Sequence, residues 1–250
     1  MMTRIVPTRH RQAGAGRIDT RRSFFVTGTD TAVGKTLTTA ALLRSLRESS
    51  IRVAGMKPVA AGAIPGPEGP ANEDALLLQA ESSARHPYAL VNPWLFEPAI
   101  APHIAAAEAG VAIDTARIVA AHAELRERAD VVLAEGAGGF LVPLDATRSI
   151  AELPGLLGMD VILVVGLRLG CLNHALLTAE AVAARGLTLA GWVGNHVDPE
   201  FARADANVET LRARIAAPCL GIVPWMNKPD AAAAAIHLAA APRLLRILLE

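Results

Sequence analysis

Between a short apolar run, Phe24-Phe25-Val26, and a segment of helical character beginning near Leu37 lies Thr27-Gly28-Thr29-Asp30-Thr31-Ala32-Val33-Gly34-Lys35-Thr36. A strand that enters a helix through such a turn aims several backbone N–H groups, and the positive end of the helix dipole, at one point. Anions collect there. The usual phosphate loop reads glycine, four residues, then Gly-Lys-Thr; here the first glycine stands one place early, at Gly28 instead of position 29. The chemistry survives the variation. Lys35 would neutralise the outer phosphates of a nucleotide, and the Thr36 hydroxyl is a hard oxygen ligand suited to Mg²⁺. The competing reading is a Gly/Thr-rich turn with a solvated lysine; against it stands the position of the loop between strand and helix signals.

The rest of the chain repeats the form that this loop begins. Val53-Ala54-Gly55-Met56 reads as a strand, and Pro58 forbids helix through Lys57, so Lys57 sits at a strand's carboxyl end. Further strands are expected at Asp130 to Glu135, Val161 to Gly166, Ala190 to Asn195 and Gly221 to Pro224, and helices at Ile113 to Ala129, His174 to Ala184 and Asn207 to Ile215. A Gly/Pro-rich loop is expected from Ala61 to Pro70, an acidic helix start at Asn72-Glu73-Asp74, and an irregular stretch from Val91 to Pro98. Strands alternating with helices predict an α/β fold of the doubly wound type, a mostly parallel sheet with helices on both faces. Ligands of such sheets sit at the strands' carboxyl ends, where Lys35, Lys57, Glu135 and Asn195 all fall.

A chain of 250 residues buries a large core, and one α/β domain over residues 23–250 is the economical reading. Residues 1–22 stand apart, with six arginines against one acid, Asp19, and read as a basic, disordered extension. Overall charge balances, Lys+Arg 24 against Asp+Glu 24, which points to neither nucleic acid nor an anionic membrane. The longest apolar runs, such as Val161 to Val165, fall far short of the roughly 20 residues of a membrane helix. Two cysteines without metal-ligand spacing, Cys171 and Cys219, suit a reducing cytoplasm, though one disulfide stays open.

Glu135 at a buried strand's end is costly unless it faces a cation, and a Mg²⁺ held by Thr36 and phosphates would supply one. Asp74 is a second carboxylate for that ion, or else a first-turn acid of its helix. Gly136 to Gly139 would let backbone N–H groups approach phosphate oxygens, or simply form a tight turn.

With those residues in place the chain resembles the dethiobiotin synthetases. The motifs 27–36, Gly-Met-Lys-Pro-Val-Ala (55–60), Glu-Asp-Ala-Leu (73–76), Ala-Pro-His (101–103), Glu-Gly-Ala-Gly-Gly (135–139), Gly-Cys-Leu-Asn-His (170–174), Gly-Trp-Val-Gly-Asn (191–195) and Val-Pro-Trp (223–225) occur in that family's order and spacing. The resemblance implies a homodimeric P-loop ligase of biotin biosynthesis. With ATP and Mg²⁺ it inserts CO₂, in equilibrium with bicarbonate, between the two amines of 7,8-diaminononanoate. A carbamate and a carbamic-phosphoric anhydride would precede ring closure. The resemblance makes Lys35 and Lys57 catalytic, and Thr36, Asp74 and Glu135 metal ligands. It places Ala32, Val33, Gly34, Lys35, Thr36, Leu37, Gly136, Ala137, Gly138, Asn195, Pro224, Trp225 and Met226 along the nucleotide. Thr31 and Ala61 would meet the substrate; Ala61 stands where many members carry serine, so that side-chain hydrogen bond is missing here. Gly170, Cys171, Leu172 and Asn173 would receive the substrate's carboxylate from the partner subunit's side. His103 fits a packed histidine as well as a pocket wall.

Two switch readings compete. Asn227-Lys228-Pro229-Asp230 spells the guanine signature of GTPases, as in a GTP-dependent metallochaperone, but the strand ending Glu135-Gly136-Ala137-Gly138 lacks their Asp-x-x-Gly. A partition-type ATPase would carry a signature lysine where this loop has Asp30.

Overall fold

The computed structural model describes residues 22–66 and 68–238. The expected basic extension therefore lies, except for Arg22, outside the described residues. Arg22 is the first residue of a strand, its N–H bonded to the Asp130 carbonyl at 2.9 Å, so pairing begins two residues before the apolar run and one before the expected domain start at residue 23.

Along the chain come β1 (Arg22–Gly28), α1 (Lys35–Glu48), β2 (Val53–Met56), β3 (Val59–Ala61), β4 (Ile64–Gly66), β5 (Gly69–Ala71), α2 (Glu73–Glu81), α3 (Tyr88–Val91), β6 (Trp94–Phe96), α4 (Pro102–Glu108), α5 (Thr115–Arg128) and β7 (Val131–Glu135). After a 3-10 turn at Ile150–Glu152 follow α6 (Leu153–Leu157), β8 (Asp160–Leu167), α7 (Cys171–Ala183), β9 (Leu189–His196), α8 (Ala204–Arg214), β10 (Cys219–Val223) and α9 (Ala231–Ala235).

Six strands form one sheet in the order β10-β9-β8-β1-β7-β2, every neighbouring pair parallel. Such a sheet must be buried on both faces, and the period of two in its strands sorts their side chains between two layers. Phe24, Val26 and Leu133 pack with Leu42, Leu43 and Leu46 of α1 on one face. Phe25, Val132 and Ala134 pack with Ile118, Ala121 and Leu125 of α5 on the other, where Leu163, Val165 and Trp192 also meet α7 and α8. The chain leaves β1 toward β2 on one side and later returns to β8 on the other. β1 is thus at the point where the winding reverses, and the loop leaving its carboxyl end opens into the crevice that such a reversal creates.

Four short strands outside the main sheet, β3 to β6, are not expected from the sequence. The segment expected as irregular contains β6, paired in parallel with β3 through Val59 and Trp94, and the expected Gly/Pro loop folds as the antiparallel hairpin β4–β5. Three-residue strands hold no period long enough to read. Both cysteines are free, which closes the disulfide alternative.

Candidate active site

Gly34 is the hinge of the phosphate loop. Its φ of +85° lies in the left-handed region that glycine tolerates, and a Cβ there would meet Asn195 Nδ2 at 2.0 Å. The loop therefore enters α1 with no side chain over its first turn, and α1 has no side-chain cap to occupy its N–H groups. Free N–H groups at a helix start are an anion site. Lys35 Nζ bends back over the loop to the Asp30 carbonyl at 2.8 Å. Burial pulls its ammonium down to about 8, against the opposing charge of Glu135.

Behind the loop, β7 and β2 bring two more charges to the same place. Glu135 ends β7 with no exposed surface, its Oε1 accepting from Thr36 Oγ1 at 2.8 Å and from Lys57 Nζ at 2.6 Å. Lys57 also donates to Asp74 Oδ2 at 2.7 Å, in the first turn of α2 behind its N-cap, Asn72. Burial works against the Lys57 ammonium, but the charges and hydrogen bonds of Glu135 and Asp74 outweigh it and hold the group above the ordinary lysine value. Burial would likewise raise the Asp74 carboxyl; Lys57 and Thr36 hold it below the usual range. Thr31, Ala32, Gly34, Lys35, Thr36, Lys57, Ala61, Asp74, Glu135, Ala137 and Gly138 all line one cavity of about 750 Å³.

That donor set suits Mg²⁺. Among the described residues no cluster of three or more His, Cys, Asp or Glu side chains exists. A P-loop ion does not require one, because it takes one or two carboxylates, a hydroxyl and oxygens of phosphate and water. Glu135 Oε2, buried and without a partner, is the unsatisfied oxygen such an ion would meet.

A second recess of about 200 Å³ continues along the loop, lined by Ala32, Gly34, Leu37, Asn195, Pro224, Trp225, Met226 and Pro229. It brings together the expected base-binding residues from α1, β9 and the segment after β10. Asp230 of the guanine-like signature is spent differently: its Oδ1 accepts the Ala233 N–H at 2.8 Å and caps α9. A third cleft, about 480 Å³, lies between Thr29, Asp30 and Thr31 of the loop, Leu141 to Pro143, and His174, Leu177 and Thr178 of α7.

Some expected residues stand elsewhere. The N–H of Gly136 donates to the Val26 carbonyl at 2.9 Å, extending the sheet, and a Cβ there would meet the Phe25 ring at 3.0 Å; this glycine serves packing and offers no N–H to a phosphate. Val33 turns its side chain into the core, and its carbonyl accepts from Asn195 Nδ2. Gly170, Leu172 and Asn173 line none of the three cavities, and Cys171 is buried at the start of α7. His103 lies outside them too, its Nδ1 buried without a partner.

Sequence reasoning passes over the residues that hold this geometry. Asn92, buried, donates to the Lys57 carbonyl at 2.7 Å while the Lys57 N–H bonds to the Val91 carbonyl, and Tyr88 Oη donates to Asn92 Oδ1. Arg168 pairs with Asp30 at 2.5 Å, and Asp30 Oδ1 accepts the Thr31 N–H. An asparagine just before a proline, at Asn92-Pro93, is the one signal that could have drawn notice.

The parallel sheet, its winding reversal and the Gly-Lys-Thr loop define a P-loop α/β nucleotide-binding protein. A family model described as an AAA domain matches residues 22–233. The cell division ATPase MinD of Pyrococcus furiosus shares the fold, with a TM-score of 0.55 at 18% identity over 90% of this chain and 99% of that one. Curated relatives are far more similar. The chain is 54% identical over 222 residues to the ATP-dependent dethiobiotin synthetase BioD of Ralstonia nicotianae, covering 89% of this chain and 97% of that protein. It is also 54% identical to the protein of that name from Aromatoleum aromaticum, over 87% and 96%. The chain belongs to the ATP-dependent dethiobiotin synthetase family.

Proposed function

We propose that the chain carboxylates and cyclises 7,8-diaminononanoate with CO₂ and ATP to give dethiobiotin, ADP and phosphate. The observation that carries this is the convergence of Lys35, Thr36, Lys57, Asp74 and Glu135 on one cavity, in a chain 54% identical to a named dethiobiotin synthetase over nearly its full length. In this reading an amine of the substrate adds to CO₂ and loses a proton, giving a carbamate. A carbamate oxygen then bonds to the γ-phosphorus as the bond to the ADP oxygen breaks. The second amine attacks the carbonyl carbon of the resulting anhydride, and phosphate leaves with the C–O electron pair as the ring closes.

The chain's own part is to bind, orient and neutralise. Lys35 and Lys57 face the charge that spreads over the transferring phosphoryl oxygens, and their placement before reaction avoids the cost of reorganising solvent. Thr36, Asp74 and Glu135 would hold Mg²⁺, which supplies further neutralisation of the phosphates when bound. Thr31, between the main cavity and the cleft along α7, would contact the carbamate. Ala61 offers the substrate only a methyl group. The turn Gly170 to Asn173, outside the three cavities described, would serve the substrate carboxylate of a partner subunit in a homodimer. The chain has no helix among its described residues long and apolar enough to cross a membrane, in keeping with a small-molecule enzyme.

The test is a mass spectrum of the product from diaminononanoate, bicarbonate and ATP. Dethiobiotin formed in step with ADP is the expected result; phosphate release indifferent to diaminononanoate would point to a switch ATPase instead.

A further inference from the structure

Glu135 and Asp74 have one cation between them. Lys57 Nζ reaches both carboxylates, at 2.6 and 2.7 Å, while the neighbouring ammonium, Lys35 Nζ, is turned to the Asp30 carbonyl. An ionised carboxylate as buried as Glu135 is held only against a charge and good hydrogen bonds, and here Lys57 and Thr36 are its partners. The lysine has little freedom to leave. Its side chain is 5% exposed, its N–H is bonded to Val91 and its carbonyl to Asn92. The two acids differ: Glu135 forms the sealed floor, whereas the Asp74 side chain is 42% exposed at the mouth.

We propose that Lys57 is an internal stand-in for the metal: in the nucleotide-free chain its ammonium occupies the two carboxylates, so a divalent cation is admitted only together with the triphosphate. This rests on the reading of Thr36, Asp74 and Glu135 as metal ligands. A dication arriving alone meets a fixed positive charge and must part Lys57 from Asp74 with nothing to offer the ammonium in return. A triphosphate brings both oxygens for the metal and negative charge for Lys57. The exchange takes place at the mouth, on Asp74, while Glu135 Oε2 waits on the floor without a partner. Lys57 so discriminates the metal–nucleotide complex from the free ion, a role separate from its action on the transferring phosphoryl group.

Binding of Mn²⁺, followed by electron paramagnetic resonance, tests this with no turnover. The unaltered protein should bind Mn²⁺ weakly alone and tightly with a non-hydrolysable ATP analogue. Lys57→Met should bind Mn²⁺ alone about tenfold or more tightly than the unaltered protein does, and Glu135→Gln added to it should remove the gain. Equal affinity of Lys57→Met and the unaltered protein for Mn²⁺ alone overturns the proposal, and tight binding with the analogue would then leave the metal reading standing. A gain that survives Glu135→Gln places the ion elsewhere and overturns both. Should Lys57→Met be too unstable to titrate, Lys57→Gln carries the same comparison by thermal unfolding: Mn²⁺ alone should raise its midpoint and leave that of the unaltered protein in place, and equal shifts overturn the proposal.

Discussion

The Asn195 carboxamide donates through Nδ2 to the Val33 carbonyl at 3.0 Å, and that bond sets which way the amide is turned beside the recess proposed for the base. One N–H of Nδ2 is used on the loop, and Oδ1 is left buried without a partner beside the recess of Leu37, Pro224 and Trp225. An unpartnered acceptor calls for a donor, which the exocyclic amine of adenine supplies and the carbonyl of guanine does not. ATP should therefore show a lower KM than GTP. Asn195→Ala should raise the KM for ATP about tenfold, the worth of about one hydrogen bond, with kcat nearly unchanged. Initial rates against both nucleotides check this, and equal KM values in the unaltered enzyme would remove Asn195 as a base reader.

The two lysines should weigh on turnover more than on binding. A group that stabilises charge only as it develops costs about 3 kcal/mol or more when removed, over a hundredfold in rate. Lys35→Ala and Lys57→Ala should each lose that much kcat in steady-state assays of dethiobiotin formation. If Lys57→Ala kept turnover near that of the unaltered enzyme, its catalytic role would be wrong, whatever it does for the metal.

Lys35 makes nucleotide binding depend on pH with a definite sign. Burial lowers its pKa to about 8, below the ordinary lysine value of 10.5, so the ammonium is charged below about pH 8 and mostly neutral above it. Phosphates favour the charged form and so raise the pKa in the complex. Binding a non-hydrolysable ATP analogue should thus take up protons at pH 9 and almost none at pH 6.5, where the group is already charged in both states. Affinity should fall as pH rises through about 8. Calorimetry in buffers of different ionisation enthalpy reads the uptake; no uptake at pH 9 would mean that Lys35 stays charged in the free enzyme. The same pKa bears on stability. Below pH 8 the folded chain carries the full cost of a buried ammonium, and that cost is relieved between pH 8 and 10.5 as the folded form loses its proton first.

What could be read from the sequence follows the reach of each physical signal. The six strands of the main sheet are buried on both faces, so they carry short apolar runs such as Val131 to Ala134 and Val161 to Val165. Lys35, Lys57, Glu135 and Asn195 could be gathered from the sequence because parallel topology puts strand ends on one side, whatever their distance in sequence, whereas Thr36 came from the Gly-Lys-Thr loop and Asp74 from its acidic helix start and the family resemblance. The packing role of Gly136 was not legible because composition cannot tell a glycine that frees an N–H for a ligand from one that yields space to Phe25. Asn92 and Arg168 escaped because their partners, the Lys57 carbonyl and the Asp30 carboxylate, are contacts of the folded chain alone.

The cleft along α7 ends in an apolar surface that a lone protomer leaves in water. Leu169, directly before the turn at Gly170, is 91% exposed, and Leu141 and Leu177 on the cleft wall are more than half exposed. Large apolar side chains left exposed together, as Leu141 and Leu177 are on the cleft wall, mark an interaction face. If that face joins two copies of the chain and the turn from Gly170 to Asn173 serves the partner's substrate as proposed above, the two functions would fail together. Leu177→Glu should convert a dimer into monomers by light scattering. It should also raise the KM for diaminononanoate about tenfold or more, since a charge set into the centre of an interface costs at least as much as truncating a hot-spot residue. Analogue binding should stay within about twofold, because Leu177 lines neither the phosphate cavity nor the base recess. A variant that remains dimeric with an unchanged KM would separate α7 from both the interface and the substrate.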